Sequence, residues 1–146
     1  MKRMRFEIPS DPKHIKTAST KLADFLEGME FSKESLFDLR LCLEEAVINA
    51  IKYGNKLDSG LPVVIEYLIS DGNLEVIVRD KGKGFKFDTV PDPRSEENIL
   101  KHGGRGLFLI KNLMDKVEFN DSGNEIKMIK SITGGKPNGD QRKTVG

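Results

Sequence analysis

The sequence has no tryptophan, one cysteine (Cys42) and two histidines, His14 and His102, far apart along the chain. One thiol excludes a disulfide within the chain, and one thiol with two distant imidazoles is not a structural zinc set. Net charge is nearly absent: 24 Lys and Arg stand against 23 Asp and Glu, a formal +1. Such a balance creates no global field to draw nucleic acid or an anionic membrane, and the few aromatics do not suggest base stacking. No apolar run reaches the roughly 20 residues of a membrane span. The start, MKRMRFEIPSDPK, is basic but leads into no apolar segment or small-residue cleavage site, so it does not read as a secretory signal. These absences predict a water-soluble protein of a reducing cytoplasm, without direct nucleic-acid or membrane partners.

With 146 residues, 32% of them charged, the chain is long enough to bury one core. Residues 4–8 (MRFEI) alternate like a short strand. Ser10-Asp11-Pro12 opens a helix with Ile15, Ala18, Leu22, Phe25 and Leu26 on one face, ending near Gly28. Ser32 is the expected cap of a second helix running to Tyr53, where Gly54-Asn55 stop it. Strands over Val63–Ile69 and Leu74–Val78 flank Asp71-Gly72, a hairpin signal. Residues 85–104 carry Pro91, Pro93 and scattered apolar residues without a period, as a functional lid or a disordered stretch would. A third helix follows from Gly104 through Leu107, Phe108, Ile110, Leu113 and Met114. Strands at Val117–Phe119 and Ile126–Ile132 surround Asp121-Ser122-Gly123, and residues 134–146 read as a disordered tail. The elements do not alternate as βαβ units. They predict a single α+β domain over residues 1–133, a two-layer sandwich with helices on one face of a mostly antiparallel sheet.

On a helical wheel of about 100° per residue, Leu36, Leu39, Leu43, Ala46, Val47 and Ala50 form the buried face of the second helix. Glu45 and Asn49, one turn apart, share the opposite stripe with Asp38 and Lys52, and Leu41, Ile48 and Cys42 border it. An amphipathic helix shows such a stripe simply by being wet. Yet a mid-helix Asn is a modest helix former, and the apolar border suits a cleft. A carboxylate and a carboxamide at this spacing can accept a proton and hold a hard cation.

After Leu74–Val78 comes Arg79-Asp80-Lys81-Gly82-Lys83-Gly84. Gly82 and Gly84 allow either a turn with positive φ or close approach of a ligand to the backbone. Asp80, ionised, accepts hydrogen bonds only, which matches an exocyclic amine. Gly103-Gly104-Arg105-Gly106 ends at a helix N-terminus, whose free N–H groups suit a phosphate, and Arg105 adds a planar fork of donors. Each loop alone could be an ordinary turn or helix entry, and neither matches a Walker or Rossmann pattern.

The ordered set resembles the GHKL ATPase superfamily, which includes gyrase, histidine kinases and MutL. The N box corresponds to Glu45-Ala46-Val47-Ile48-Asn49-Ala50, the first glycine box to Asp80-Lys81-Gly82-Lys83-Gly84, and the second to Gly104-Arg105-Gly106-Leu107-Phe108-Leu109-Ile110. Within the superfamily the chain is similar to the bacterial anti-sigma-factor serine/threonine kinases over about residues 4–132, especially in DPRSEENILKHGGRGLFLIKNLMDKVEF. The resemblance implies the Bergerat ATP-binding fold with ATP and Mg²⁺. It implies Asn49 as the Mg²⁺ ligand, Glu45 as the base acting on the attacking hydroxyl, and Asp80 as acceptor of the adenine amine, with Gly82 and Gly84 admitting the base. Gly104, Gly106 and Leu107 would contact phosphates through the backbone, Arg105 would reach the γ-phosphate, and Lys52 would contact phosphate. Histidine kinases usually carry Asn at the Glu45 position. Where the family often has Thr near the start of the last strand, this chain has Asn124-Glu125.

The implied activity is phosphorylation of a Ser or Thr on a STAS-domain anti-anti-sigma protein by a homodimeric kinase that can also bind a sigma factor. An ATP-binding switch without phosphoryl transfer, or a detached histidine-kinase ATPase domain, would share much of this pattern.

Overall fold

The computed structural model describes residues 1–82 and 104–132, without the side chains of residues 104 and 105. The lid expected over about 85–104, apart from the Gly104 backbone, lies outside the described residues, as do Gly84 and the expected tail.

The elements run β1 (Lys2–Pro9), a 3-10 turn (Pro12–His14), α1 (Ile15–Phe25), α2 (Lys33–Asn49), a π-helical turn (Ala50–Gly54), β2 (Pro62–Ser70), β3 (Asn73–Arg79), α3 (Gly104–Leu113), β4 (Lys116–Phe119) and β5 (Glu125–Ser131). The sheet order is β1-β2-β3-β5-β4, and each pairing is antiparallel. The fold is α+β, as the element pattern predicts.

Local chemistry explains most boundaries. Asp11 accepts the Lys13 N–H at 3.1 Å, so the first cap closes a 3-10 turn before α1 begins. Ser32 caps α2 by accepting the Ser35 N–H at 2.9 Å, and its hydroxyl meets the Ser35 hydroxyl at 3.0 Å. Asp71 and Gly72, at φ 54° and 77°, form the two-residue hairpin turn between β2 and β3; their positive φ values match the right-handed strand twist. The last turn expected of α2 is instead wound more widely. The Asn55 N–H donates to Ala50 O at 2.8 Å, a five-residue step.

Strand alternation sends Phe6, Ile8, Val63, Ile65, Tyr67, Leu74, Val76, Val78, Ile126 and Met128 toward the helices. Tyr67 is fully buried and donates its hydroxyl to Ala18 O at 2.7 Å, tying α1 to β2. Cross-strand pairs such as Arg3–Glu66 at 3.0 Å and Lys127–Glu75 at 3.9 Å cover the opposite face. Cys42, set beside the polar stripe by the wheel, is 1% exposed and belongs to the core. Burial first, then the charge of Asp38, pushes its thiol up to about 12. The reason is tertiary: α1 and α3 both pack on α2 and leave only a narrow part of its circumference open.

Candidate functional site

A cleft of about 260 Å³ opens between α2, the π-helical turn, α3 and the ends of β3, β4 and β5. Ala46, Ala50, Val78, Leu107, Phe119 and Ile126 give it apolar walls, while Asn49, Asp80, Asn124 and Glu125 supply polar groups. This is the composition of a small-molecule site, a mostly apolar hollow with a few convergent polar groups.

Asp80 stands where β3 leaves the sheet. Its N–H donates to Asn124 O at 2.9 Å, and its Oδ1 accepts the Gly82 N–H at 2.8 Å. The residue is only 8% exposed, and no cation pairs with it among the described residues. Burial raises its carboxyl above the ordinary value, with the Gly82 N–H opposing the shift. A buried acceptor with one oxygen left over among the described residues calls for a donor from whatever enters the cleft.

Two glycines make room for that carboxylate. A Cβ on Gly54 would lie 2.2 Å from both Cγ and Oδ2 of Asp80, and one on Gly82 would lie 2.0 Å from Gly54 O. Close approach, and not positive φ, is therefore the use of Gly82. A third close approach lies between α3 and α2. A Cβ on Gly106 would stand 2.6 Å from Glu45 Oε1 and 3.2 Å from Asn49 Nδ2. The Glu45–Asn49 stripe thus faces the first turns of α3 instead of open water, and both side chains are half-buried.

Of the residues singled out in the sequence, Asn49, Asp80 and Leu107 line the cleft. Gly82 holds the Asp80 side chain, and Gly106 sets Glu45 against α3. Gly104 and Arg105 contribute the opening backbone of α3, and the side-chain role expected of Arg105 lies outside the described residues. Lys52 is exposed and does not line the cleft; Tyr53 and Lys56 do. The wheel carried a 100° step past Asn49, but the π-helical turn breaks that phase at Ala50. Gly54 was missed because a helix stop explained it equally well. The carboxamide of Asn124 lies 3.4 Å from Gly82 O and is held by Asn120 at 2.7 Å, contacts that only the folded sheet creates.

An antiparallel sheet roofed by helices, with a buried carboxylate in a cleft that is also lined by the carboxamide of a helix-borne carboxylate–carboxamide pair, defines an ATP-binding domain of the GHKL class. The chain belongs to the histidine kinase-like ATPase domain family, whose model matches residues 8–130. It is 31% identical over 137 residues to serine-protein kinase RsbW of Listeria monocytogenes, across 89% of this chain and 87% of that one. With serine-protein kinase RsbW of Bacillus subtilis it shares 30% over 138 residues, across 90% and 86%. Solved structures of the same fold include the RsbU and RsbW domains of a Mycobacterium tuberculosis protein, with a TM-score of 0.60 at 15% identity over 90% of this chain and 32% of that one. A blue-light activated histidine kinase of Erythrobacter litoralis gives 0.56 at 17% identity, over 88% and 43%. This chain therefore spans about a third of the first solved chain and under half of the second.

Proposed function

We propose that this protein is an anti-sigma-factor type kinase that uses MgATP to phosphorylate a Ser or Thr on a STAS-domain anti-anti-sigma protein. It would act as a homodimer in the cytoplasm and bind a sigma factor when that antagonist does not hold it. The observation that carries the reading is one cleft lined by both buried Asp80 and Asn49, with Glu45 one helical turn from Asn49 and both set against Gly106. The fit to a purine triphosphate is good. Among the described residues only the Gly82 N–H is bonded to the Asp80 carboxylate, which leaves an oxygen for an amine. The apolar walls suit a flat ring, and a helix N-terminus such as the start of α3 suits phosphates.

In this reading Asp80 selects the base, and Gly82 with Gly84 lets it approach. Asn49 would hold Mg²⁺ through its carboxamide oxygen; the ion supplies charge neutralisation at the phosphates. The backbone of Gly104, Gly106 and Leu107 would bind phosphate oxygens. Arg105 would reach the γ-phosphate, and Lys52 would approach the phosphates from the solvent side. Glu45 takes the proton of the acceptor hydroxyl as that oxygen bonds to the γ-phosphorus. The bond to the β–γ bridging oxygen breaks and ADP leaves. A carboxylate base suits a hydroxyl acceptor, which favours serine/threonine chemistry over a histidine acceptor.

The test incubates the protein with labelled ATP, Mg²⁺ and a STAS-domain protein encoded nearby. Acid-stable phosphoserine or phosphothreonine is expected. Acid-labile label would indicate histidine chemistry, and tight ATP binding without transfer would indicate a switch; either would overturn the reading.

Asp80 yields a prediction with opposite signs for binding and stability. Its folded-state carboxyl is raised from 3.8 by burial. Its contribution to stability is thus full below the unfolded value and lost as pH rises through the folded one. Asp80→Asn removes that cost at neutral pH and keeps an oxygen for the Gly82 N–H, so the melting temperature at pH 7 should match or exceed wild type. ATP affinity should nevertheless fall about tenfold or more, because the amide presents a donor to a donor. Calorimetric titration and thermal melts on the same samples check both signs. Wild-type ATP affinity should also begin to fall at a pH above the ordinary carboxylate range as the solution is acidified.

A further inference from the structure

Asn55 follows the π-helical turn and is 1% exposed. Its side chain joins three segments. Nδ2 donates to Ser10 Oγ at 2.8 Å and to Pro62 O at 3.1 Å, while Oδ1 accepts the Lys81 N–H at 2.7 Å. A backbone N–H on one side and a carbonyl on the other fix the orientation of the amide. Ser10, equally buried, donates its own hydroxyl to Leu61 O at 2.6 Å. A buried, satisfied Asn is by default a strut, and its bonds to Ser10 and Pro62 fit that description. The bond from the Lys81 N–H does not belong to the frame. It comes from the peptide next to Asp80, in the turn that aims the carboxylate into the cleft. On its far side the turn is held by Asn124, through the Asp80 N–H and Gly82 O. On its near side Asn55 supplies the hydrogen bond.

We propose that Asn55 is a positioning residue for nucleotide recognition: through the Lys81 N–H it holds the Asp80 turn in its binding geometry before ligand arrives. The backbone of Asn55 also continues from Gly54, the residue against which the Asp80 carboxylate packs. One side chain therefore couples the end of the helix that carries Glu45 and Asn49 to the group that reads the base. The inference rests on the reading of the cleft as an ATP site.

The experiment compares wild type, Asn55→Ala and Ser10→Ala in the full chain, by calorimetric affinity for ATP and GTP, thermal melting, and KM and kcat for phosphorylation. Ser10→Ala removes a buried hydroxyl from the same network but leaves the bond to Lys81. It is expected to lower the melting temperature and keep ATP affinity within about twofold. Asn55→Ala should weaken ATP roughly tenfold and narrow the preference for ATP over GTP. It should raise KM for ATP while leaving kcat at saturation within about twofold. Unchanged ATP affinity in Asn55→Ala, or an equal loss in Ser10→Ala, overturns the proposal while leaving the ATP site standing; wild type that fails to bind ATP removes both. Should Asn55→Ala not fold, amide exchange on the nucleotide-free wild type decides. The Lys81 amide should be protected at least about a hundredfold, and exchange at the rate of an open chain would overturn the role.

Discussion

Replacing Glu45 by Ala should lower kcat for phosphoryl transfer by at least about a hundredfold while leaving ATP affinity within about threefold of wild type. The separation follows from position. Glu45 lies against Gly106 and Asn49 but outside the lining of the cleft that would hold the base. Removing a carboxylate beside a triphosphate costs no binding contact and relieves like-charge repulsion. Glu45→Gln keeps shape and hydrogen-bonding capacity but cannot take a proton, so it should fall nearly as far as Ala if the carboxylate is the base. A Gln variant with most of the wild-type rate would instead assign Glu45 an orienting role. Gly106→Ala tests the same group from the other side, since its Cβ would stand 2.6 Å from Glu45 Oε1. Displacing the carboxylate should lower kcat, and pressing on Asn49 Nδ2 should raise the Mg²⁺ needed for half-maximal rate. Single-turnover phosphorylation at saturating ATP, with separate calorimetric affinities, tells these outcomes apart.

What the sequence made legible was whatever short-range chemistry decides. Ser32 as a cap, Asp71-Gly72 as a two-residue turn and the alternation along β2 and β3 depend on neighbours a few residues away, and each appears where expected. The cast of the cleft was visible for a different reason. A carboxylate and carboxamide four residues apart and two glycine-bearing turns are rare enough in that order to carry meaning. Three features were not legible. The π-helical turn at Ala50 shifts the helix phase by a register no periodicity encodes, which is how Tyr53 and Lys56, rather than Lys52, come to line the cleft. Cys42 is buried because α1 and α3 flank α2, and an isolated wheel has no neighbours. Gly82 could serve either a positive φ or a close contact; only the backbone of Gly54 at 2.0 Å from its absent Cβ decides for contact.

That contact yields the sharpest steric prediction. Gly54→Ala would put a methyl carbon 2.2 Å from Cγ and Oδ2 of Asp80. The carboxylate is the movable partner and must swing away by about an ångström or more, losing its contact with the base and about tenfold or more in affinity for ATP. Stability should barely change, because Ala is favoured over Gly in a helical turn by about 1 kcal/mol, which offsets the loss of the Gly82 N–H bond. Gly82→Ala meets an obstacle of another kind, the Gly54 carbonyl oxygen at 2.0 Å and its carbon at 2.8 Å. Backbone cannot swing, so the whole turn must shift and surrender the bonds from Lys81 N–H to Asn55 and from Gly82 N–H to Asp80. A loss of about 3 kcal/mol in stability is expected along with the loss of ATP binding. A double-mutant cycle separates steric displacement of Asp80 from general damage. In Asp80→Ala the carboxylate atoms that the new methyl would strike are gone, so adding Gly54→Ala should cost no further affinity. A second, additive loss in the double variant would mean that Gly54 serves the nucleotide directly and not through the carboxylate it accommodates.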